Sequence, residues 1–281
     1  MKRAKVSIGE NKMHSGGHNE LIRTMKGDVY LCASNDMLYP KGLLSDWIHA
    51  FEPVMNEYGS SAIKLLQWQS NGYQIDTKLI PKRLDSMGLG IRRNHHFYDA
   101  GQGEVDTGQY DAVNEAFGPS AALALYTKAA LDAISYQNEV GKLEYFDELL
   151  HFKNDVDLAY RLQWAGFRCR VFPQFYAQHA RGTGAKGSVL GSRKHKGRFE
   201  KDNSFWGQQV VLYKNMDARF AFVTRLASLT RQLLMIGYAL FFERHLIRVL
   251  RKLKQSEKAL ELRRKAVVKN VKPIIIEALM C

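Results

Sequence analysis

Apolar and polar residues alternate in the first 55 positions in a way that predicts strands followed by helices. The apolar run Val29–Ala33 predicts a buried strand, and residues 5–8 predict a short strand before it. Between them, residues 15–19 indicate a turn that leads into a helix over residues 20–25. After Pro40, apolar residues recur at helical spacing: Leu43, Leu44, Trp47, Ile48 and Phe51. This order is typical of the α/β class.

The middle of the chain predicts further strands and helices on either side of one long loop. Residues 61–68 predict a strand, whereas residues 88–109, rich in Gly, His, Asp and Arg, predict a loop. Residues 127–136 predict a helix, and residues 155–164 predict another that ends at Gly166. An extended segment and a glycine-rich segment complete this region: residues 167–179 and 182–191.

From about residue 200 the pattern is helical. Residues 218–253 place apolar side chains on one face with arginines among them, which predicts a basic amphipathic helix. A charged helix is predicted over residues 256–269. Two interpretations of the amphipathic helix stay open. It packs on the rest of the protein with its arginines in solvent, or it lies on an anionic membrane with five apolar side chains inserted: Leu233, Leu234, Ile236, Phe241 and Phe242.

Composition narrows the class of protein. The 281 residues are 46% hydrophobic and 25% charged, which is typical of one large globular domain or of a domain with an appendage. The three cysteines, Cys32, Cys169 and Cys281, are far apart and form no CxxC pair. From this spacing we expect neither a disulfide framework nor a zinc site built from cysteines, and it indicates a reducing compartment. We therefore expect a cytoplasmic protein, with attachment to the inner face of the plasma membrane left open.

Charge is unevenly distributed along the chain. Residues 182–281 hold 21 basic and 7 acidic residues, whereas residues 1–181 hold 20 basic and 21 acidic ones. A basic segment attracts phosphate, either in nucleic acid or at an anionic membrane surface. No nucleic-acid-binding motif accompanies the charge, so we do not expect nucleic acid as a partner. Polyanion binding through the basic tail stays open as a lesser alternative.

Four polar residues at predicted element ends are candidates for chemistry. Asp36 follows the strand Val29–Ala33, and His179 follows the extended segment. Asp155 and Asp157 open a predicted helix. Each residue taken alone also has a structural interpretation: a turn or cap aspartate, acidic residues that favour a helix dipole, and a histidine with a purely structural role.

Several segments match one known family in order. The most specific is FDELLHFKNDVDLAYRLQWAG at residues 146–166, followed by Pro173 and His179. The others are GEN at 9–11, SGGHN at 15–19, GDVYLCASND at 27–36, LDSMGL at 84–89, DAGQGE at 99–104, GQYD at 108–111 and FGPSAA at 117–122. Together these segments resemble family 2 glycosyltransferases of GT-A fold, in particular the bacterial rhamnosyltransferase-like branch.

The resemblance covers about residues 5–215 and implies a domain organisation. Residues 1–199 would form a GT-A domain with a Rossmann-like mixed sheet, and residues 200–281 a basic helical C-terminal extension. The match starts at a later strand of the family's domain, so the family's N-terminal nucleoside-binding segment is expected to be missing. We therefore expect a fold that is marginal, or that depends on a homo-oligomer or on a partner chain supplying the missing half.

The resemblance also implies an activity. An inverting glycosyltransferase of cell-envelope polysaccharide assembly would move a sugar from a dTDP-, UDP- or GDP-linked donor to a glycan or a lipid-linked acceptor. Mn²⁺ or Mg²⁺ would be bound by Asp36 and His179, and Asp155 would be the general base. The residues implied in donor binding are Gly16, Gly17, Asn19, Asn35 and Asp36. Those implied in binding the acceptor or the sugar are Gly118, Pro119, Ser120, Asn154 and Asp155.

Two positions depart from the family's pattern. Ser34 stands where the metal motif often begins with an acidic residue or Asn, and Asn154 stands where Glu usually precedes the base. Together with the expected missing segment, they leave a second reading open. In that reading the chain is a catalytically incomplete glycosyltransferase that serves as a relic or a scaffold.

Overall fold

The structure, a computed structural model, describes residues 9–68, 82–180 and 196–281, together with the backbone of residues 70–71 and 74–75. It is an α/β protein with a mixed sheet, as the sequence predicts. The strands are β1 (Val29–Ala33), β2 (Met37–Leu38), β3 (Tyr58–Gln67), β4 (Ser70–Asn71), β5 (Gln74–Ile75), β6 (Leu84–Ser86), β7 (Leu89–Ile91), β8 (Phe97–Asp99), β9 (Glu115–Ala116), β10 (Leu123–Thr127), β11 (Tyr136–Gln137), β12 (Leu143–Glu144) and β13 (Arg168–His179). The helices are α1 (Met13–Thr24), α2 (Leu43–Phe51), α3 (Lys128–Ile134), α4 (Asn154–Ala165), α5 (Arg198–Asn215), α6 (Phe222–Phe241), α7 (Ile247–Gln255), α8 (Glu257–Lys265) and α9 (Pro273–Glu277).

The central sheet has the strand order β1-β10-β3-β13-β2, with β6 paired to β3 and β9 paired to β13. Strands β3 and β13 are parallel, and the other pairs are antiparallel. Because β1 and β3 both run antiparallel to β10, they run parallel to each other. The ends of β1, β3 and β13, at Ala33, Gln67 and His179, therefore lie at one edge of the sheet, termed the carboxyl edge below. Open α/β sheets bind their ligands at this edge.

Helices cover both faces of the sheet. Leu123 and Leu125 of β10 share a hydrophobic cluster with Trp47 of α2. Ala124 and Tyr126 share a different cluster, which includes residues of α1, α3 and α4. Successive side chains of a strand point to opposite faces, so α2 covers one face and the other three helices cover the opposite one.

The C-terminal helices share a core with the rest of the protein. Trp206 and Val210 of α5 lie in one hydrophobic cluster with Ile91 of β7 and Trp164 of α4. At the end of the chain, the N–H of Cys281 donates to the carbonyl of Ile91 at 3.2 Å. These contacts join the predicted extension to the sheet body. The boundary between residues 199 and 200 stays a prediction.

Several sequence-based boundaries are confirmed. Strand β1 and the helix α2 lie where the pattern places them, and α4 ends at Gly166, which has the left-handed conformation of a helix cap (φ 98°). The strand predicted at residues 61–68 is β3, which begins three residues earlier, and residues 168–179 form β13. The predictions at residues 5–8 and 182–191 lie outside the described residues.

Three predictions of local structure are wrong. Residues 15–19 are not a turn but the first half of α1, because Ser15, Gly16 and Asn19 are buried on its inner face. The loop predicted at residues 88–109 contains the hairpin of β7 and β8, whose Leu89, Ile91 and Phe97 enter the core. The single helix predicted at residues 218–253 is divided into α6 and α7 by a 3-10 turn at Arg244–Leu246, whose Leu246 is fully buried.

Helix α6 has an unusual distribution of side chains. Its buried residues are Thr224, Ser228 and Ala239, all small. Eight of its large apolar side chains are exposed, and they form what is termed the apolar face of α6 below: Phe222, Val223, Leu226, Leu229, Leu233, Leu234, Leu240 and Phe241. Met235 is partly buried and packs against the core. No acidic residue occurs between positions 218 and 242. Among the helices of the described residues, none combines the length and the apolar character needed to cross a bilayer.

A buried network of ion pairs connects the helices α4, α5 and α8 with Asp147. Lys214 of α5 donates to Asp147 at 2.6 Å and to Asp157 of α4 at 2.8 Å. Arg161 donates to Asp157 at 2.9 Å, and Arg263 of α8 donates to Asp147 at 3.2 Å. All five side chains are almost fully buried. Removing one partner of such a pair costs about 3–5 kcal/mol, because the other charge is left buried without compensation.

Candidate functional site

Asp36 and His179 come together at the carboxyl edge. Strand β2 follows Asp36 directly and pairs with the end of β13, which places Met37 opposite His179. The N–H of Ala180 donates to the carbonyl of Asp36 at 2.9 Å. As a result, His179 Nε2 lies 3.4 Å from Asp36 Oδ2. The two residues are 143 positions apart in the sequence, and the pairing of β2 with β13 is what joins them.

Asp85 orients the imidazole of His179. This fully buried carboxylate lies in β6, and its Oδ2 is 2.7 Å from His179 Nδ1. When Nδ1 carries the proton and donates to Asp85, the neutral ring presents an unprotonated Nε2 to Asp36. A carboxylate that orients a histidine in this way is the usual outer partner of a metal-ligating histidine. The sequence analysis included Asp85 in a matching segment but assigned it no role.

The pair Asp36 and His179 fits a divalent cation. Two electron-pair donors, a carboxylate oxygen and an imidazole nitrogen, face each other at 3.4 Å. Octahedral ligands about 2.1 Å from an ion lie roughly 3 Å apart. The side chain of Asp36 is 37% exposed, so the pair is accessible from solvent. Mn²⁺ and Mg²⁺ suit such oxygen-containing sites, and the histidine favours Mn²⁺.

Asp155 begins the second half of the candidate site, at the start of α4. Its carboxylate accepts from the N–H of Val156 at 2.8 Å and from the N–H of Ala121 at 3.4 Å. Burial, and next the negative charge of Asp99, raise the pKa of Asp155 above its usual value. A carboxylate with a raised pKa is a stronger base, which suits the proton-accepting role that the resemblance implies.

The segment 120–122 connects the two halves of the site. The carbonyl of Ala122 accepts from the N–H of Ser34 at 2.8 Å, and the N–H of Ala121 reaches Asp155. Ser120 and Pro119, both predicted to bind acceptor or sugar, are buried beside this connection. The loop after β1 and the start of α4 therefore lie on either side of one short segment.

Gly118 is explained by packing. A Cβ atom at this position would lie 2.2 Å from the Cβ of Ala159 in α4. The glycine allows α4 to approach the backbone at residue 118, which pairs with Leu89 of β7. This approach also sets the position of Asp155, one turn earlier in α4. The sequence analysis attributed this glycine to close approach of a sugar nucleotide, which stays a prediction.

The remaining predicted donor-binding residues lie on α1 and on the loop after β1. Asn19 is fully buried, and its amide accepts from the N–H groups of Tyr145 and Phe146 and donates to the carbonyl of Phe146. Gly16 and Gly17 lie within α1, and Asn35 is exposed. The bonds of Asn19 give it a structural role. Whether these residues also bind a donor stays a prediction.

Asn154 connects α4 to α1. Its Nδ2 lies 2.8 Å from His14 Nδ1 and 3.3 Å from Ser15 Oγ, and its Oδ1 accepts from the N–H of Asp155 at 2.9 Å. The residue that replaces the family's usual Glu therefore fixes the backbone at the predicted base. It also carries no charge, which leaves the charge of Asp155 without an adjacent acidic neighbour in the chain.

Three basic side chains that the sequence analysis did not bring together, Lys153, Arg231 and His96, lie close to one another, and Lys153 is near Asp155. Lys153 adopts a left-handed conformation (φ 64°) immediately before α4. Burial, and next the charge of Arg231, lower the pKa of Lys153 to about 8. The Nη1 atom of Arg231 is buried and has no hydrogen-bond partner among the described residues. Burial and the charges of Arg231 and Lys153 lower the pKa of His96 to about 4. In the sequence, the one signal for these three side chains is the position of Lys153, two residues before the predicted base.

A groove lies beside these basic side chains and along α6. Both polar and apolar side chains line it: Asn94, His96, Thr230 and Arg231, and Val223, Leu226, Ala227 and Leu234. The arrangement suits a ligand that has both an anionic group and an apolar chain.

Comparison with known proteins does not add a family to this geometry. No family model matches the chain, and no curated protein does. The resemblance to glycosyltransferases therefore depends on the segments quoted above and on the site described here.

Proposed function

We propose that this protein is an inverting glycosyltransferase that uses a nucleotide-diphosphate sugar. The observation that carries the proposal is the meeting of Asp36 and His179 at the carboxyl edge, with Asp85 orienting the histidine. The sequence motifs selected Asp36 and His179 from positions far apart, and the fold brings those two residues within 3.4 Å.

The proposed reaction is a single displacement. Asp36 and His179 would hold Mn²⁺ or Mg²⁺, which when bound neutralises charge on the leaving diphosphate. Asp155 takes the proton from an acceptor hydroxyl as that oxygen forms its bond to the anomeric carbon. The bond from the anomeric carbon to the diphosphate breaks, the nucleoside diphosphate leaves, and the anomeric configuration inverts. The raised pKa of Asp155 strengthens it as the base.

The acceptor in this proposal is linked to a lipid. Lys153 offers positive charge next to Asp155, Arg231 lies close to Lys153, and the groove continues along apolar side chains of α6. An acceptor with a phosphate and a hydrocarbon chain matches both features. A free glycan would use only the polar part of the groove.

Calorimetric titration of the whole chain with UDP, GDP and dTDP, each with and without Mn²⁺, tests the proposal. We expect binding of one nucleotide that requires Mn²⁺ and that disappears in Asp36→Asn. The control is Asp46→Asn, an acidic residue in the first turn of α2. No binding of any nucleotide, or equal binding by Asp36→Asn, would favour the second reading of an incomplete enzyme or scaffold.

A second function, attachment to an anionic membrane surface, is favoured by the apolar face of α6. Leu233, Leu234 and Phe241 are 60%, 69% and 78% exposed. Exposed arginines follow in the next turn and helix, at Arg244, Arg248 and Arg251. A helix with exposed large apolar side chains and neighbouring cations binds at the headgroup boundary of anionic bilayers. Such attachment would bring the groove to a lipid-linked acceptor.

A further inference from the structure

Two histidines and a cysteine converge beside the predicted base. His14 and His18 are four residues apart on α1, so they lie on the same side of the helix. Cys32 is in β1, which packs against that helix. One potential ligand atom from each of the three residues lies within 4.8 Å of the others. The cluster is separate from the Asp36–His179 pair and shares no residue with it.

The distances match those of a tetrahedral metal site. His18 Nε2 and Cys32 Sγ are 3.6 Å apart. In a tetrahedral zinc site, with Zn–S about 2.3 Å and Zn–N about 2.0 Å, a sulfur and a nitrogen ligand are separated by about 3.5 Å. The structure therefore already has the spacing that an ion would require for this pair.

Neighbouring groups orient all three side chains. Tyr30 Oη lies 2.5 Å from His18 Nδ1, which leaves Nε2 of that ring directed at the cysteine. Asn154 donates to His14, and the thiol of Cys32 lies 3.3 Å from the carbonyl of Ala121. Metal-ligating histidines nearly always donate the N–H of the second ring nitrogen to an outer partner, and Tyr30 is placed to accept it from His18.

We propose that His14, His18 and Cys32 form a binding site for one zinc-type transition-metal ion. Imidazole and thiolate are the ligands that Zn²⁺ and Co²⁺ prefer, whereas Mg²⁺ prefers oxygen. The Cys32 thiol releases its proton to solvent as the sulfur binds the ion. Three protein ligands leave a fourth position for a water molecule, as in catalytic zinc sites.

The proposed metal site is connected to Asp155, the predicted base, through two neighbouring residues. Ala121 contacts both groups, because its carbonyl lies against Cys32 and its N–H donates to Asp155. Asn154, which precedes the base, contacts His14. The proposal does not depend on the proposed glycosyltransferase activity, since its ligands and its test are different.

The experiment is titration of the metal-free full-length chain with Co²⁺, followed by its absorption spectrum. We expect one equivalent to produce tetrahedral d–d bands and a thiolate-to-cobalt charge-transfer band, both removed by excess Zn²⁺. Cys32→Ser should lose the charge-transfer band, and the Asp36→Asn variant should keep it. Tyr30→Phe should weaken cobalt binding by about 10- to 100-fold, because it removes the outer partner of His18.

A positive control avoids dependence on the folding of Cys32→Ser. The double variant Cys169→Ser and Cys281→Ser leaves Cys32 as the only cysteine, and it should retain the full charge-transfer band. The absence of that band from the wild-type chain or from the double variant would overturn the proposal. So would its persistence in a folded Cys32→Ser variant, as judged by an unchanged cooperative melting transition.

Discussion

Asp155 is held at the start of α4 by backbone N–H groups from two different segments, one from its own helix and one from Ala121. Burial raises its pKa, and the negative charge of Asp99 adds to the effect. A side chain fixed in this way can face an acceptor without first reorganising. In the proposed reaction, the carboxylate would therefore be in place before the acceptor binds.

Asp155→Asn tests this role. The amide has nearly the same shape, and its one oxygen can still accept from Val156, whereas the 3.4 Å bond from Ala121 to the second carboxylate oxygen is lost. The fold should be retained. Sugar transfer should fall roughly 100- to 10,000-fold, the range of general-base contributions, while the metal-dependent binding of nucleotide is unchanged. Transfer rates and calorimetric affinities measured on the same preparation check this. Equal loss of both quantities would show a structural effect instead.

Gly118 and Gly17 allow a matched comparison of Gly→Ala substitutions, one at a tightly packed position and one at an open position. Alanine at 118 would place a Cβ 2.2 Å from Ala159, whereas alanine at 17 meets no atom within 4 Å and lies inside α1. Gly118→Ala should cost about 1–3 kcal/mol of unfolding free energy through overpacking. Gly17→Ala should be neutral or stabilising by up to about 1 kcal/mol, because alanine favours helices. Urea denaturation of both variants measures the difference. Similar stability of the two would contradict the packing argument.

The sequence identified some residues of the site and missed others for a physical reason. Asp36, His179 and Asp155 stand at element ends within recognisable segments, so pattern and position select them. Asp85, Lys153 and Arg231 contribute through contacts across the fold, and their local sequence resembles that of ordinary core or surface residues. The His14–His18 spacing was visible, but its partner Cys32 is joined to it only by the packing of α1 on β1.

At the scale of elements, the sequence pattern predicted a strand or helix correctly where a single apolar run, a single apolar face or a terminal glycine determines it. Strand β1 and helix α2 have a single apolar face or run, and α4 ends at a glycine with positive φ. The hairpin of β7 and β8 was missed because its strands are three residues long and are stabilised by contacts with α4 and α5. The break between α6 and α7 was missed because Leu246 continues the apolar pattern while its backbone turns into the core.

The apolar face of α6 leads to a prediction for this element. Leu234→Glu places a charge at a position that is 69% exposed, so the free protein should fold normally. Its recovery with anionic liposomes should fall about tenfold or more, because a buried leucine contributes about 1.5–3 kcal/mol and the new charge is repelled. Flotation at low salt measures the recovery.

The matched control for this experiment is Val140→Glu. Val140 is also apolar and is 83% exposed, but it lies in the turn between β11 and β12. The substitution Val140→Glu also replaces an exposed apolar side chain with a carboxylate, but away from α6. It should therefore leave the recovery with liposomes unchanged. Equal losses in the two variants would indicate a general effect of charge, and equal recovery with neutral and anionic liposomes would exclude the electrostatic attraction.

At the scale of the whole molecule, the buried ion pairs predict how stability depends on pH. Burial alone would raise the pKa of Asp147, but the charges of Lys214 and Arg263 outweigh it and lower the pKa to about 2. The unfolded value is near 4, so this carboxylate contributes stability that is complete above about pH 4. That contribution is lost as the pH falls toward 2. Glu144, whose pKa burial raises, opposes part of this trend.

Lys214→Met separates the network from the general effect of acid. At about pH 7 the variant should lose about 3–5 kcal/mol, because Asp147 and Asp157 stay buried without their shared cation. Near pH 3 the difference from the wild type should shrink, since protonation of the carboxylates removes their need for a partner. Urea denaturation at the two pH values provides the comparison. A constant difference would mean that the network does not govern acid stability.

The small inner face of α6 has a consequence for motion. Thr224, Ser228 and Ala239 bury little apolar area, and Met235 adds one partly buried contact with the core, so few cohesive contacts attach the helix to the protein. Segments with few buried contacts open locally at a low free energy, well below the free energy of unfolding the core. The backbone amides of α6 should therefore exchange with deuterium sooner than those of α4, whose side chains are nearly all buried. A bilayer that receives the outer face would slow that exchange, so the membrane would complete the fold of this helix.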